Sequence, residues 1–216
     1  FSLYVHSGRW GFPTVIDGYF YPKSLPEIFA AGEQAHIPLL LGWNSAESSA
    51  EAFMGSDKMT SENYERQVAE RLPERVDEIL SLYPYDDPKT LARSASAIAS
   101  DQFISYSTWK WFDLHRKHSE QAVYRYLYSK LRPPLVDAKG DSPTPIGAPH
   151  ACEIEYCMGN LHRIVARAWT EEDYQASRTM QQYFANFIIQ GDPNGEGLNP
   201  WSPAAADDPN PPVMVI

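Results

Sequence analysis

Cysteine is scarce in this chain of 216 residues, which contains only Cys152 and Cys157. The two lie five positions apart in a predicted helix. That spacing places their thiols on different faces, so a mutual disulfide is not expected. Two cysteines without paired histidines also do not make a structural zinc site. We therefore expect two buried, inert thiols, and the sequence implies no cofactor and no metal.

Long apolar runs and an excess of basic residues are both absent. The longest apolar run covers only residues 37–43, even counting Pro38 and Gly42, whereas a membrane-spanning helix needs about 20 residues. The chain has 18 Lys and Arg against 28 Asp and Glu, giving a formal net charge of −10. This balance disfavours a partner with a phosphate backbone. The sequence therefore predicts no membrane span and no nucleic-acid partner.

Aromatic and apolar residues are plentiful enough for a substantial core. Hydrophobic residues make up 43% of the chain, and 13 Tyr and 6 Trp are among them. A chain disordered throughout is therefore not expected. The chain starts at Phe1 rather than Met and finishes in a strand-like run at residues 213–216. We expect both ends to be cut from a longer sequence.

The order of predicted elements indicates an α/β protein. Two short apolar or aromatic runs predict buried strands, at residues 37–41 and 122–128. Helical spacing predicts helices at residues 60–82, 88–118 and 172–190, the last of them ended by Gly191 and Pro193. The proline-rich stretch 131–149 is expected to be a loop. Strands alternating with helices favour a parallel sheet covered by helices.

One helical stripe of large apolar residues is expected to face the core. Its members recur three to five positions apart, and they are Ile98, Phe103, Tyr106, Trp109 and Phe112.

Two loops that follow the predicted strands carry chemically useful side chains. Glu47 follows the first strand, and His150 lies in the loop after the second. Functional groups of open parallel sheets cluster at the carboxyl ends of strands. An acid followed later by a histidine is also the chain order found in α/β-hydrolases. The pattern is weak alone, since a glutamate in a polar loop is usually a solvated charge.

A pair of histidines offers an alternative site. His115 and His118 are three apart on a predicted helix, and with Asp113 or Glu120 they suit a metal ion, as in a metal hydrolase. The competing interpretation, which we favour, is a polar helix end beside Arg116 and Lys117.

Four segments carry more specific patterns. They are Val-Ile-Asp-Gly-Tyr-Phe at residues 15–20 with Pro22, Pro-Leu-Leu-Leu-Gly-Trp-Asn-Ser-Ala-Glu at 38–47, Gly-Ala-Pro-His-Ala-Cys-Glu-Ile at 147–154, and Tyr-Phe-Ala-Asn-Phe at 183–187 continued by Gly-Asp-Pro-Asn at 191–194 and Trp201. In this order they resemble the C-terminal half of type B carboxylesterases, the cholinesterase-like branch of the α/β-hydrolases. The resemblance spans nearly the whole chain and implies the C-terminal part of an α/β-hydrolase fold.

The resemblance implies that Glu47 is the acid and His150 the base of a Ser-His-Glu triad. The family usually has a glycine directly after the acid, where this chain has Ser48, and a turn that needed positive φ would be strained there. Glu51 is the alternative acid if the register of the loop differs.

Supporting roles are also implied for residues around this pair. Glu153 resembles a buried carboxylate near His150, although a helix first-turn charge explains it equally well. Asp101 is a weaker candidate for the same support. Trp43 and Trp109 are candidates for lining the substrate pocket, although core packing explains most such aromatics.

The nucleophile is missing from the chain. None of its 12 glycines belongs to a Gly-x-Ser-x-Gly motif, and no Gly-Gly run supplies oxyanion donors. The family places both elements N-terminal to the matched part. The resemblance thus implies hydrolysis of small carboxylic esters by a protein of which residues 1–216 are a partial domain, inactive without its N-terminal half. The alternative is a non-catalytic cholinesterase-like binding or adhesion domain.

Overall fold

The computed structural model describes residues 14–138 and 145–216. Within them lie three strands, β1 (Leu39–Asn44), β2 (Val123–Tyr128) and β3 (Met214–Val215). The α-helices are α1 (Leu25–Ala30), α2 (Ala50–Met54), α3 (Ser61–Arg71), α4 (Val76–Leu82), α5 (Pro88–Ser100), α6 (Tyr106–His118), α7 (Ile154–Cys157) and α8 (Glu171–Gln190). The expected loop at 131–149 holds no helix or strand where it is described, and its residues 139–144 lie outside the described part.

The three described strands form one parallel sheet in the order β1-β2-β3. In β1 and β2, Leu41 pairs with Arg125 and Gly42 pairs with Tyr126. Only glycine fits at position 42, because a Cβ atom there would lie 2.4 Å from the Tyr126 carbonyl oxygen. The predicted strands are confirmed, with β1 shifted toward Asn44 and thus toward the polar loop.

Two larger hydrophobic clusters lie in the described part of the chain, beside a small third one made of Leu41, Phe112, Val123 and Ala204. One packs β2 against the later helices and includes the buried aromatic residues Tyr124, Tyr126, Tyr128, Tyr156, Tyr183 and Trp201. The other lies among the helices that follow β1 and is built from Phe53, Met54, Tyr64, Val68, Leu91, Ala95 and Ile98. The loop after β2 therefore leads into the first of these clusters, and the loop after β1 leads into the second.

The predicted helix at 60–82 is interrupted. Pro73 has no backbone N–H and restricts the residue before it, so Leu72 adopts φ −134° and ψ 52°, outside the helical region. A short 3₁₀ turn at Pro73–Arg75 then leads into α4. By contrast, α8 ends as predicted, because Gly191 closes it in the left-handed conformation with φ 75°.

The expectation of one continuous core-facing stripe at residues 98–112 is wrong. Ile98 and Phe112 are buried, but Phe103, Tyr106 and Trp109 are exposed by 45%, 59% and 37%. A π-helical turn at Asp101–Ser105 joins α5 to α6, and the Tyr106 amide donates to the Asp101 carbonyl. A π turn holds one more residue than an α turn, so it rotates the following residues off the face set by α5.

The cysteine expectation holds for one thiol only. Cys152 is fully buried just before α7, and burial raises its pKa to about 12, so the thiol stays protonated at neutral pH. Cys157 ends α7 and is half-buried, which corrects the prediction of two buried thiols. Both are free cysteines.

Across residues 14–138 and 145–216, no helix is both long enough and apolar enough to cross a membrane.

Candidate active site

Two loops meet at the carboxyl end of the sheet. The Ala46 amide donates to the Ala148 carbonyl at 2.9 Å, and the Ala148 amide donates to the Ser45 hydroxyl, also at 2.9 Å. A short parallel bridge also pairs Ala46, just after β1, with Pro149 in the long loop that follows β2. The residues that follow Ala46 and Pro149 are Glu47 and His150, so the backbone itself brings these two side chains together.

Glu47 and His150 form a direct hydrogen bond. Nδ1 of His150 lies 2.6 Å from Oε2 of Glu47. The Glu47 side chain is almost fully enclosed, with 6% exposed, whereas the His150 side chain is 52% exposed. In a neutral imidazole one nitrogen donates and the other accepts. Donation from Nδ1 to the carboxylate leaves Nε2 as the accepting nitrogen, available to take a proton.

The second oxygen of Glu47 is held by the backbone. The Asn44 amide N–H donates to Oε1 at 2.6 Å. The carboxylate is therefore anchored at one oxygen by the end of β1 and bonded to the imidazole at the other. Ser48, directly after it, is outside the left-handed region, since Glu120 and Ala151 are the described non-glycine residues with positive φ. Ser48 therefore does not carry the backbone strain that a positive φ would cause.

Glu51 does not take this position. It lies in the first turn of α2 and is exposed. Hydrogen bonds of its own backbone N–H and of the Ser49 side chain lower the pKa of Glu51. The structure thus brings Glu47, and not Glu51, to His150.

The carboxylate of Glu153 joins the same cluster through an amide. Its Oε2 accepts a hydrogen bond from Nδ2 of Asn44 at 2.5 Å, and Glu153 is half-buried directly before α7. Glu153 therefore lies at the start of a helix and is also connected to Glu47 through Asn44, which is hydrogen-bonded to both carboxylates.

An aromatic ring packs against the imidazole. The rings of Phe103 and His150 are 5.1 Å apart and nearly perpendicular, at 76°. Such edge-to-face packing limits the ring orientations available to a half-exposed histidine. Phe103 lies in the π-helical turn that joins α5 to α6.

The backbone next to His150 is strained. Ala151 adopts φ 63°, in the left-handed region where a Cβ atom is crowded by the following carbonyl. Glycine occupies this conformation without that cost. The strained residue directly follows the histidine, and strain of this kind tends to gather at functional sites.

The other predicted site residues lie elsewhere. A cavity of about 430 Å³ is lined by Glu47 and His150. Trp43, Trp109 and Asp101 line a different cavity of about 570 Å³, and the Asp101 carboxylate accepts a hydrogen bond from the Tyr83 hydroxyl. Their roles in substrate binding or in supporting His150 therefore stay predictions without contact to the Glu47–His150 pair.

The alternative metal site is not assembled. Nε2 of His115 donates to the Ile37 carbonyl at 2.9 Å, and both oxygens of Asp113 are bonded to Arg116 and Lys117. Within the described part of the chain, no three His, Cys, Asp or Glu side chains are grouped as metal ligands would be. The favoured interpretation of a charged helix end fits this arrangement.

Comparison with known proteins identifies the family. The sequence model of the carboxylesterase family matches residues 2–216. The chain belongs to the carboxylesterase family. The three parallel strands with their helices are accordingly part of an α/β-hydrolase fold.

Among curated relatives, this carboxylesterase chain is 29% identical to mouse acylcarnitine hydrolase over 203 residues, covering 88% of the chain and 35% of the relative. It is 28% identical to the rat pyrethroid hydrolase Ces2e over 205 residues, covering 87% and 34%. It is 26% identical to human cocaine esterase over 205 residues, covering 88% and 35%. The chain thus spans about a third of the length of these relatives.

Two contacts around the Glu47–His150 pair were not predicted from the sequence. Asn44 was part of a recognised segment, but nothing in its spacing indicated that its amide reaches residues 149 and 153. Phe103 was assigned to the core by helical periodicity. A polar residue at the end of a buried strand was the available signal for Asn44, whereas the π turn that redirects Phe103 leaves no mark in the hydrophobic pattern.

Proposed function

We propose that this chain supplies the acid Glu47 and the base His150 of a Ser-His-Glu triad that hydrolyses small carboxylic esters. The nucleophilic serine and the oxyanion donors would come from the N-terminal part of a longer protein. The observation that carries the proposal is the 2.6 Å hydrogen bond from His150 Nδ1 to Glu47 Oε2. An intact Glu47–His150 pair also counts against the alternative of a non-catalytic binding domain.

The proposed reaction begins with the serine hydroxyl. Its oxygen attacks the ester carbonyl carbon while Nε2 of His150 takes the proton. The resulting imidazolium shares its Nδ1 proton with the Glu47 carboxylate, which stabilises the positive charge and fixes the tautomer. His150 then gives the proton to the departing alkoxide. The alcohol is released, and the acyl group stays bonded to the serine oxygen as an acyl-enzyme.

Water completes the cycle in the same site. His150 removes a proton from water as the water oxygen attacks the acyl carbonyl, and then gives that proton to the serine oxygen as the acid departs. Since the His150 side chain is 52% exposed, its ring is open to the cavity in which the ester and water would meet.

The names of the relatives support an ester or acyl substrate without selecting one. They describe an acylcarnitine hydrolase, a pyrethroid hydrolase and a cocaine esterase, whose named substrates differ from one another. We therefore propose a small carboxylic ester as the substrate class and name no individual ester.

The test uses the longer protein, with p-nitrophenyl acetate and butyrate as substrates. We expect hydrolysis by the wild-type protein and a loss of kcat of about 10⁴-fold or more in His150→Ala. His162→Ala is the matched control, because His162 is exposed and lies outside the His150 cavity. Equal activity of His150→Ala and wild type, or the lack of a Gly-x-Ser-x-Gly motif upstream, would refute the proposal.

A further inference from the structure

Asn44 is the last residue of β1, and only 2% of it is exposed. Burial to this extent removes the amide from water. Its Nδ2 regains hydrogen bonds within the protein, whereas its Oδ1 has no partner among the described residues. The partners of Asn44 lie on the loop that carries His150, more than a hundred positions further along the chain.

Two different groups of Asn44 reach the two members of the acid–base pair. The backbone N–H donates to Oε1 of Glu47 at 2.6 Å. The side-chain Nδ2 donates to the Pro149 carbonyl at 2.8 Å and to Oε2 of Glu153 at 2.5 Å. Pro149 directly precedes His150 in the sequence. One residue is thus bonded both to the acid and to the backbone that carries the base.

We propose that Asn44 is a positioning residue, whose side-chain amide fixes the His150 loop against the Glu47 loop so that His150 Nδ1 stays within hydrogen-bond distance of the acid. This inference rests on the proposed function for its catalytic consequence. The His150 ring is half-exposed and is not enclosed by protein, so its position depends on the backbone on either side of it.

The chemistry of the amide suits this task. A single Nδ2 carries two N–H groups in one plane, and the structure directs them to two acceptors, the Pro149 carbonyl and the Glu153 carboxylate. An alanine removes both donors, and an ionised aspartate offers acceptors only. A lysine would satisfy Glu153, but its positive charge would disfavour an imidazolium nearby. The neutral amide leaves the negative charges of Glu47 and Glu153 available to stabilise protonated His150.

The experiment compares Asn44→Ala with Asn186→Ala in the longer protein. Asn186 is a matched control, because its Nδ2 also donates two hydrogen bonds, in this case to the backbone carbonyls of Pro193 and Asn194. A merely structural loss should be similar in both variants. Asn44→Asp, which keeps the size of the side chain, serves as the second variant if Asn44→Ala does not fold.

Two readouts separate positioning from folding. For Asn44→Ala we expect kcat for p-nitrophenyl acetate to fall by about 10²-fold, the loss that a misplacement of about 1 Å can cause, with KM within about threefold of wild type. The downfield proton NMR signal of His150 Nδ1–H, assigned by its loss in His150→Ala, should weaken or disappear. Asn186→Ala should keep both the wild-type kcat and this signal.

Unchanged kcat and an unchanged Nδ1 proton signal in the Asn44 variants would overturn the inference. Equal losses in the Asn44 and Asn186 variants would also overturn it, because they would indicate a general effect on folding. If the wild-type protein has no esterase activity, the proposed function fails. The NMR comparison then still decides whether Asn44 holds the Glu47–His150 contact.

Discussion

Oε2 of Glu47 lies 2.6 Å from Nδ1 of His150, although 103 positions separate the two residues. The contact follows from the sheet. Because β1 and β2 are parallel neighbours, their following loops leave the same edge, and the Ala46–Pro149 bridge keeps them paired up to the residue before each functional side chain. Glu47 is enclosed and His150 is open to a cavity, which is the arrangement that the proposed acid and general base would require.

Replacing the acid should abolish most of the activity without weakening substrate binding. In the longer protein we expect Glu47→Gln to lower kcat by about 10⁴-fold, because an amide no longer fixes the imidazole tautomer or stabilises its positive charge. KM for p-nitrophenyl acetate should change little. Glu51→Gln is the control, and its kcat should stay within about threefold of wild type. A larger effect at Glu51 than at Glu47 would mean that the acid is misassigned.

The 216-residue polypeptide should not turn over esters when it is produced alone. It has neither a Gly-x-Ser-x-Gly motif nor a Gly-Gly run to supply the nucleophile and the oxyanion donors. Its rate with p-nitrophenyl acetate should equal the buffer rate, and His150→Ala should leave that rate unchanged. Hydrolysis by this polypeptide that disappears in His150→Ala would contradict the prediction.

Glycine at position 151 should stabilise the protein. Ala151 adopts φ 63°, and relief of the left-handed strain should exceed the extra conformational entropy of an unfolded glycine. We expect Ala151→Gly to raise the free energy of unfolding by roughly 0.5–1 kcal/mol in urea titrations. Ala92→Gly, within α5, is the control and should lower it by about 1 kcal/mol. Destabilisation by Ala151→Gly would show that the backbone at 151 is not left-handed.

Acid should weaken the protein through Asp113. Burial acts to raise the pKa of this carboxyl, but hydrogen bonds from Lys117 and Arg116 outweigh burial and hold the pKa below its usual value of 3.8. A carboxyl whose pKa is lowered on folding stabilises the protein above its unfolded pKa, and the stabilisation is lost as pH falls through the folded pKa.

The measurement for Asp113 is urea unfolding of wild type and Asp113→Asn at a series of pH values from about 7 to about 3. We expect a constant difference in the free energy of unfolding at the higher pH values. The difference should shrink progressively once pH falls below 3.8, the usual pKa of the carboxyl. A difference that does not vary with pH would contradict the assigned role of the Asp113 carboxylate.

Local sequence patterns predicted much of the fold. The apolar run at 37–41 and the aromatic, β-branched run at 122–128 could be assigned to strands because both are short and both are bounded by polar loops. Gly191 marked the end of α8 as a left-handed C-cap, whereas the Thr170 capping box at its start is seen only in the structure. The two runs and the Gly191 cap depend on neighbouring residues only, which is why a single sequence reveals them.

Features that depend on distant residues or on helix distortions could not be predicted in this way. The resemblance to the family selected Glu47 and His150. The hydrogen bonds from the Asn44 side-chain amide to Pro149 and Glu153 join residues that are far apart in the sequence, so no local pattern predicts them. Phe103 was misplaced because an extra residue in the π turn changes the periodicity that the prediction assumed.

The central claim is that Glu47 and His150 act as one unit, and a double-mutant cycle in the longer protein tests it most directly. The cycle measures kcat for p-nitrophenyl acetate in wild type, Glu47→Gln, His150→Ala and the double variant. Residues that act as a unit are strongly non-additive, so the double variant should be no slower than His150→Ala by more than about twofold. Losses that multiply in the double variant, as they do for independent sites, would contradict the claim.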